Sequence, residues 1–211
     1  MIHPDTELRF ISPVVGHGVI ASRDIPRGTI VWVKDDFDRI YSPAVREAMD
    51  DLHREILDTY SYRNADGDFV FCWDHTRFVN HSFRPNCLPT PYGFEIAVKN
   101  IPAGAELTND YGCLNLLKPF TPVDEGQTRQ EVTPHDLAVM HGEWDREIAE
   151  ALTQFPLLEQ PLRPYFKDEM EEYLLSVVSG DRPTQSILDL YFQGDRKQTI
   201  AKHSGPQNAF R

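Results

Sequence analysis

Arg77-Phe78-Val79-Asn80-His81-Ser82-Phe83-Arg84-Pro85-Asn86 is the stretch whose reading decides the fold. Taken alone, its Asn80-His81 pair is explained by two polar groups satisfied at a turn. Two further segments flank it: Gly16-His17-Gly18 upstream, and Glu106-Leu107-Thr108-Asn109-Asp110-Tyr111-Gly112 downstream. A Gly-x-Gly step is weak evidence by itself, because glycine is the ordinary residue wherever backbone bends or approaches another group closely. An isolated Asp-Tyr-Gly is commonplace. The information lies in all three segments occurring in this order and at these intervals.

Around these segments the first half is punctuated for short strands. Leu8 to Ile11, Val19 to Ser22 and Thr29 to Val33 are brief apolar or alternating runs, separated by turn signals at Pro13, Gly16-His17-Gly18 and Pro26-Arg27-Gly28. Ser42 can cap a helix with Pro43 at its first position, and Val45, Met49, Leu52 and Ile56 follow at helical spacing, which predicts one helix over 43–59. Asp66-Gly67 is a strong turn pair between Tyr60 to Arg63 and Phe69 to Trp73, a hairpin signal. Phe94 to Val98 is a further strand, ended by the turn at Pro102 to Gly104. After residue 113 the character changes. Thr133-Pro134-His135-Asp136 opens a helix whose stripe is Leu137, Met140, Trp144, Ile148, Ala151 and Phe155. A second helix is expected through Phe166, Met170, Leu174 and Val177, ending near Gly180, and a shorter one through Ile187, Leu190 and Tyr191. These stripes are expected to face a core.

Composition excludes several classes. The formal charge of −12 argues against nucleic acid as a direct ligand, because phosphate binding needs a basic surface; a basic protein partner suits it better. No stretch approaches the roughly 20 uninterrupted apolar residues of a membrane span, and the start has neither a basic leader nor an apolar signal core. The expectation is a soluble protein that does not enter membranes, intracellular and either cytoplasmic or nuclear. Cys72, Cys87 and Cys113 show no Cys-x-x-Cys pairing, so buried free thiols are expected rather than a disulfide framework or a zinc site.

Together the three segments resemble the SET-domain pattern of a Gly-x-Gly loop, an Arg-Phe-x-Asn-His-Ser segment ending in Pro-Asn, and a Glu-Leu-Thr-x-Asp-Tyr-Gly segment, with the Pro102-Ala103-Gly104-Ala105-Glu106 turn also in place. The resemblance covers roughly residues 8 to 113. It implies a mainly β fold, a β-clip with a pseudoknot and small curved sheets, as a SET domain at 1–113. A helical region at 114–211 is expected to pack over the active site. The implied activity is transfer of a methyl group from S-adenosylmethionine to a lysine side chain of a protein. Gly16, His17, Gly18, Asn80, His81 and Tyr111 would then contact the cofactor, Tyr111 would be the catalytic tyrosine, and Phe78 and Asn109 would line the substrate channel. The alternative is a catalytically inactive SET-fold module that binds lysine-containing tails. A metal-dependent hydrolase using His75, His81, His135 and Asp110 is a weaker reading, since these residues lack ligand spacing.

Methyl transfer from a sulfonium is an in-line displacement, so positioning and exclusion of water are most of what a protein must supply. The nucleophile must be a neutral amine. A free lysine, with a pKa near 10.4, resists this by roughly 4 to 5 kcal/mol at neutral pH, and a dry channel beside a positive sulfonium lowers that cost without an obligatory base. Two departures from the family pattern stand out. Phe83 occupies the place where many relatives have a zinc-binding cysteine, and no cysteine follows Cys113, so no structural zinc is expected. The lid must come from elsewhere, and the helices carrying Trp144, Tyr165, Phe166 and Tyr173 are the candidates. Asn109 stands where the family usually has phenylalanine or tyrosine. Finally, Arg196 to Gly205 resembles the lysine-containing start of a histone tail, which would make Lys197 or Lys202 a pseudosubstrate or a target of self-methylation.

Overall fold

The computed structural model describes residues 1–166 and 169–194. The histone-like stretch with Lys197 and Lys202 lies outside the described residues. The chain opens with an antiparallel hairpin of β1 (Thr6–Ser12) and β2 (Gly16–Ala21), then forms β3 (Ile30–Val33) and β4 (Arg39–Tyr41). Two short helices follow, α1 (Pro43–Glu47) and α2 (Asp51–Tyr60). The strands β5 (Ser61–Arg63) and β6 (Phe69–Phe71) make the hairpin that Asp66-Gly67 signals, with Arg63 opposite Phe69 and Gly67 at φ +89°. Next come β7 (Asn80–His81), β8 (Cys87–Pro89), β9 (Phe94–Ala97) and β10 (Thr108–Asn109), and then α3 (Asp136–Leu152) and α4 (Met170–Val178).

Three-stranded sheets are built as β3-β9-β8 and β4-β6-β5, and β10 pairs with β7 in parallel. That last pairing is the knot-like crossing the resemblance implies. Segment 106–109 is hydrogen-bonded along loop 82–86: Ser82 N donates to Asn109 O, Asn86 Nδ2 donates to Glu106 O, and Thr108 N donates to Asn86 Oδ1. Asn86, the last residue of the deciding stretch, therefore clamps the two motif segments together.

The central sheet carries a different core on each face. Ile30, Leu88, Phe94 and Ile96 pack with Leu137, Trp144, Ile148 and Ala151 of α3, while Val31, Trp32, Cys87 and Ala97 pack with Val19, Ile25, Ile101 and Leu107. The α3 stripe is as expected, and the helix runs through Gly142. Its start is set by Asp136, whose two carboxylate oxygens accept from Thr133 N and Thr133 Oγ1. Gln160 fastens the helical layer to the sheet edge, accepting from Ile30 N and donating to Gly28 O.

The 43–59 helix is not continuous. Ser42 caps α1 as expected, but Asp50 adopts extended φ/ψ and caps a second helix by accepting from His53 N. The interruption breaks the phase that the spacing assumed. Val45, Leu52 and Ile56 are exposed, and Leu57 is the buried residue of α2.

Candidate active site

A cavity of about 920 Å³ lies where β7 and β10 cross, walled by residues from β3, β9, the β5–β6 hairpin and the chain after residue 113. Of the residues singled out from the sequence, Asn80, His81, Asn109 and Tyr111 line it. Gly16, His17 and Gly18 do not; Val14 and Val15, just before them, do. Gly18 lies directly behind the wall. A Cβ there would fall 2.3 Å from Glu106 Oε1, 2.9 Å from Ile11 Cγ1 and 3.0 Å from Asn80 Nδ2, so any larger residue would displace the Glu106 and Asn80 side chains from their present contact. Asn80 Nδ2 donates to His17 O at 3.0 Å and to Glu106 Oε1 at 2.7 Å, tying the glycine loop to both other motif segments.

His81 is held in one protonation state. Its Nδ1 accepts from Tyr111 N at 3.1 Å, and burial lowers its pKa to about 4, so the ring is neutral at physiological pH. The 3.8 Å approach of Asp110 to this ring is consequently not an ion pair. His81 Nε2, which then carries the hydrogen, is buried without a protein partner. Tyr111 donates its phenol hydrogen to Val79 O at 3.0 Å, and burial pushes its pKa up to about 12. The phenol keeps its proton, and its oxygen remains free to accept.

Asp110 and Gly112 anchor the tyrosine. Asp110 Oδ1 accepts from Gly112 N at 2.9 Å, and Arg129 bridges Asp110 to Asp136 at the start of α3. Burial raises the Asp110 pKa while the Arg129 pairing draws it back down. Gly112 leaves room for this bridge: a Cβ would sit 2.7 Å from Arg129 Nη2 and 2.9 Å from Asp136 Cβ. Glu125 makes a second pin, accepting from Ser82 Oγ at 3.0 Å and Phe83 N at 3.1 Å. Phe83 itself packs edge-on to His81 and carries the Arg129 guanidinium over its ring.

Two sets of expected site residues lie away from this cavity. Phe78 is not on the cavity wall; it packs against Tyr60, His17 and Arg77, supporting Tyr60, which does line the cavity. The aromatic residues of the helical region do not cover the cavity either. Trp144 is in the sheet–helix core, Phe166 stacks on Phe155, Tyr173 meets Tyr92, and Tyr165 is exposed. The segment that lines the cavity on that side is the irregular chain before the helices, through Leu114 to Phe120, Pro122, Val123 and Glu125. Apolar periodicity points to helices and has no signal for such a strap.

Several wall residues escaped the sequence reading. Trp32, Tyr62, Cys72 and Glu95 come from four separate strands or their ends, and Asn115, at φ +52°, donates to Arg63 O and Leu190 O. Glu95 has a readable signal: it stands between Phe94 and Ile96 in a strand whose alternation sends it to the opposite face. Arg129 lies in irregular chain and has none. All three cysteines are buried and unpaired, with thiol pKa values raised by burial. Among the described residues no group of three or more His, Cys, Asp or Glu could hold a metal ion, and no helix is long and apolar enough to cross a membrane.

In comparisons with known proteins, the family model described as the SET domain matches residues 16–112. No curated protein matches the chain.

Proposed function

Because this chain carries a SET domain, we propose that it is a protein-lysine methyltransferase using S-adenosylmethionine and acting on a basic protein. The observation that carries the reading is that Asn80, His81 and Tyr111 line one cavity while Asn80 fastens the glycine loop behind it. The residues present fit the cofactor in one observed respect: His81 Nε2, on the cavity wall, is a buried donor in need of a polar partner. When bound, S-adenosylmethionine would supply an electrophilic methyl group on a positive sulfur.

The chain's own contribution is orientation and an apolar wall. Tyr111, with its proton committed to Val79 O, offers an oxygen acceptor that can orient an amine N–H. Leu116, Leu117, Phe120 and Val123 of the strap give the cavity an apolar lining on that side. Acidity over the whole chain, at −12, favours encounter with a lysine-rich partner.

The test is cofactor binding followed by turnover. Thermal stability should rise on adding S-adenosylmethionine, and mass spectrometry should find methyl-lysine on members of a panel of basic proteins. Tyr111→Phe should lower turnover about 100-fold or more with cofactor affinity changed little, as for a group acting mainly in the transition state. Cofactor binding without methyl transfer to any protein would identify a binding module instead.

A further inference from the structure

Glu95 has no assigned part in that scheme. It pairs with Trp32 of β3 on one side and Pro89 of β8 on the other, and its side chain lines the cavity. Among the described residues its hydrogen-bond partner is Asn109, whose Nδ2 donates to Oε1 at 3.0 Å. The titratable groups facing it are Asp74, the Tyr62 phenol, and the thiols of Cys72, Cys87 and Cys113. None is a cation. Two further groups of the wall are short of partners: Asn109 Oδ1 and Trp32 Nε1 are buried and unbonded, on residues 3% and 5% exposed.

These facts define what the site lacks. An ionised carboxylate can only accept, so it fixes the Asn109 amide with Nδ2 toward Glu95 and leaves Oδ1 as a second acceptor. A half-buried carboxylate on a cavity wall with one amide partner is under-satisfied, and a cation bearing several N–H donors relieves it. A lysine ammonium is such a cation.

We propose that Glu95, oriented by Asn109, is the anionic floor of the lysine channel, receiving the substrate side chain as its ammonium ion and taking one proton from it. The inference rests on the methyltransferase reading. In the first step an N–H bond of the ammonium breaks, its electron pair stays on nitrogen, and the proton passes to a Glu95 oxygen, leaving a neutral amine and a neutral carboxyl. The nitrogen lone pair then forms the new N–C bond as the sulfonium S–C bond breaks and its pair stays on sulfur. The product is a secondary ammonium, and the Glu95 proton leaves to water. Burial pushes the pKa of Glu95 up to about 7, where a carboxylate accepts a proton at physiological pH and releases it again.

The experiment uses n-butylammonium chloride as a copy of the lysine side chain, titrated into the full chain with S-adenosylhomocysteine present. The Glu95 carboxyl carbon is followed by NMR. Its midpoint should lie near 7 and fall by about one pH unit or more with the amine bound, which corresponds to about tenfold tighter binding to the ionised form. Glu95→Gln should weaken amine binding at pH 8 about tenfold or more. On basic proteins, wild-type kcat/KM should fall as pH drops through 7, and Glu95→Gln should lose that slope while binding S-adenosylmethionine normally. The midpoint is read on the wild-type protein, so it does not depend on how the variant folds. Equal amine binding by wild type and variant, or an unmoved midpoint, overturns the proposal and leaves the methyltransferase reading standing. Absence of S-adenosylmethionine binding overturns that reading instead.

Discussion

On one face of the β3-β9-β8 sheet, Ile30, Leu88, Phe94 and Ile96 are sealed under α3; on the other, Trp32 and Glu95 from the same strands look into the cavity. The first face is held by burial of apolar surface, which is non-directional and asks only for side chains of suitable size. The second holds a carboxylate, an amide oxygen and an indole N–H with incomplete pairing, each of which costs free energy where it stands. One sheet thus divides the work: stability comes from the helical face, and the chemical capacity of the cavity face is carried at its expense.

The sharpest way to break the division is at the link between the two layers. Arg129 joins Asp110, beside Tyr111, to Asp136 at the start of α3, and the Asp110 side chain is 2% exposed. Arg129→Ala should destabilise the protein by roughly 3 to 5 kcal/mol in urea unfolding, because it leaves a buried carboxylate uncompensated. Loss of less than about 1 kcal/mol would show that the strap is pinned elsewhere.

A substitution on the sealed face should act on stability alone. Ile148 is 1% exposed in the sheet–helix core, so Ile148→Ala should cost about 2 to 4 kcal/mol. Cofactor affinity of the folded fraction should not change. A large change in cofactor affinity, measured by calorimetry below the unfolding range, would mean that the two faces are coupled.

The smallest effect has the opposite sign. Glu95 titrates about 7 when folded, against an ordinary value of 4.5. The folded state therefore binds the proton more tightly, and wild-type stability falls as pH rises from about 4.5 through 7. At about 1.4 kcal/mol per pH unit the full interval amounts to roughly 3 kcal/mol, an upper figure. Glu95→Gln should be more stable than wild type at pH 8 by up to that amount, with the difference shrinking toward zero at pH 4. Paired urea titrations at the two pH values measure it, and a gain independent of pH would remove the titration of Glu95 as its cause.

Legibility differed across the molecule for identifiable reasons. The strands, the Asp66-Gly67 hairpin and the α3 stripe depend on local turn chemistry and on periodicity, both of which a sequence displays. The broken 43–59 helix escaped because Asp50 is as good a cap as Ser42, and spacing counted across a cap loses its phase. The strap over 114–125 escaped because its contacts are made by irregular chain, where periodicity is silent. Within the cavity, Asn80, His81, Asn109 and Tyr111 were readable because they sit in short segments of characteristic order.

By itself, then, the sequence determined the order of the motifs, the hairpins and the stripe of α3, and the likeness of residues 16–112 to the SET domain. Only the tertiary structure decided that Glu95, Asn109 and Trp32 share one wall, that Phe78 stands behind it, and that Arg129 holds Asp110. The physical reason is that hydrogen-bond demand and burial belong to groups brought together from positions dozens of residues apart. A carboxylate flanked by Phe94 and Ile96 reads in the sequence as one polar residue in a strand. That it accepts from one amide donor 3.0 Å away, and among the described residues joins no ion pair, is a property of the folded neighbourhood alone.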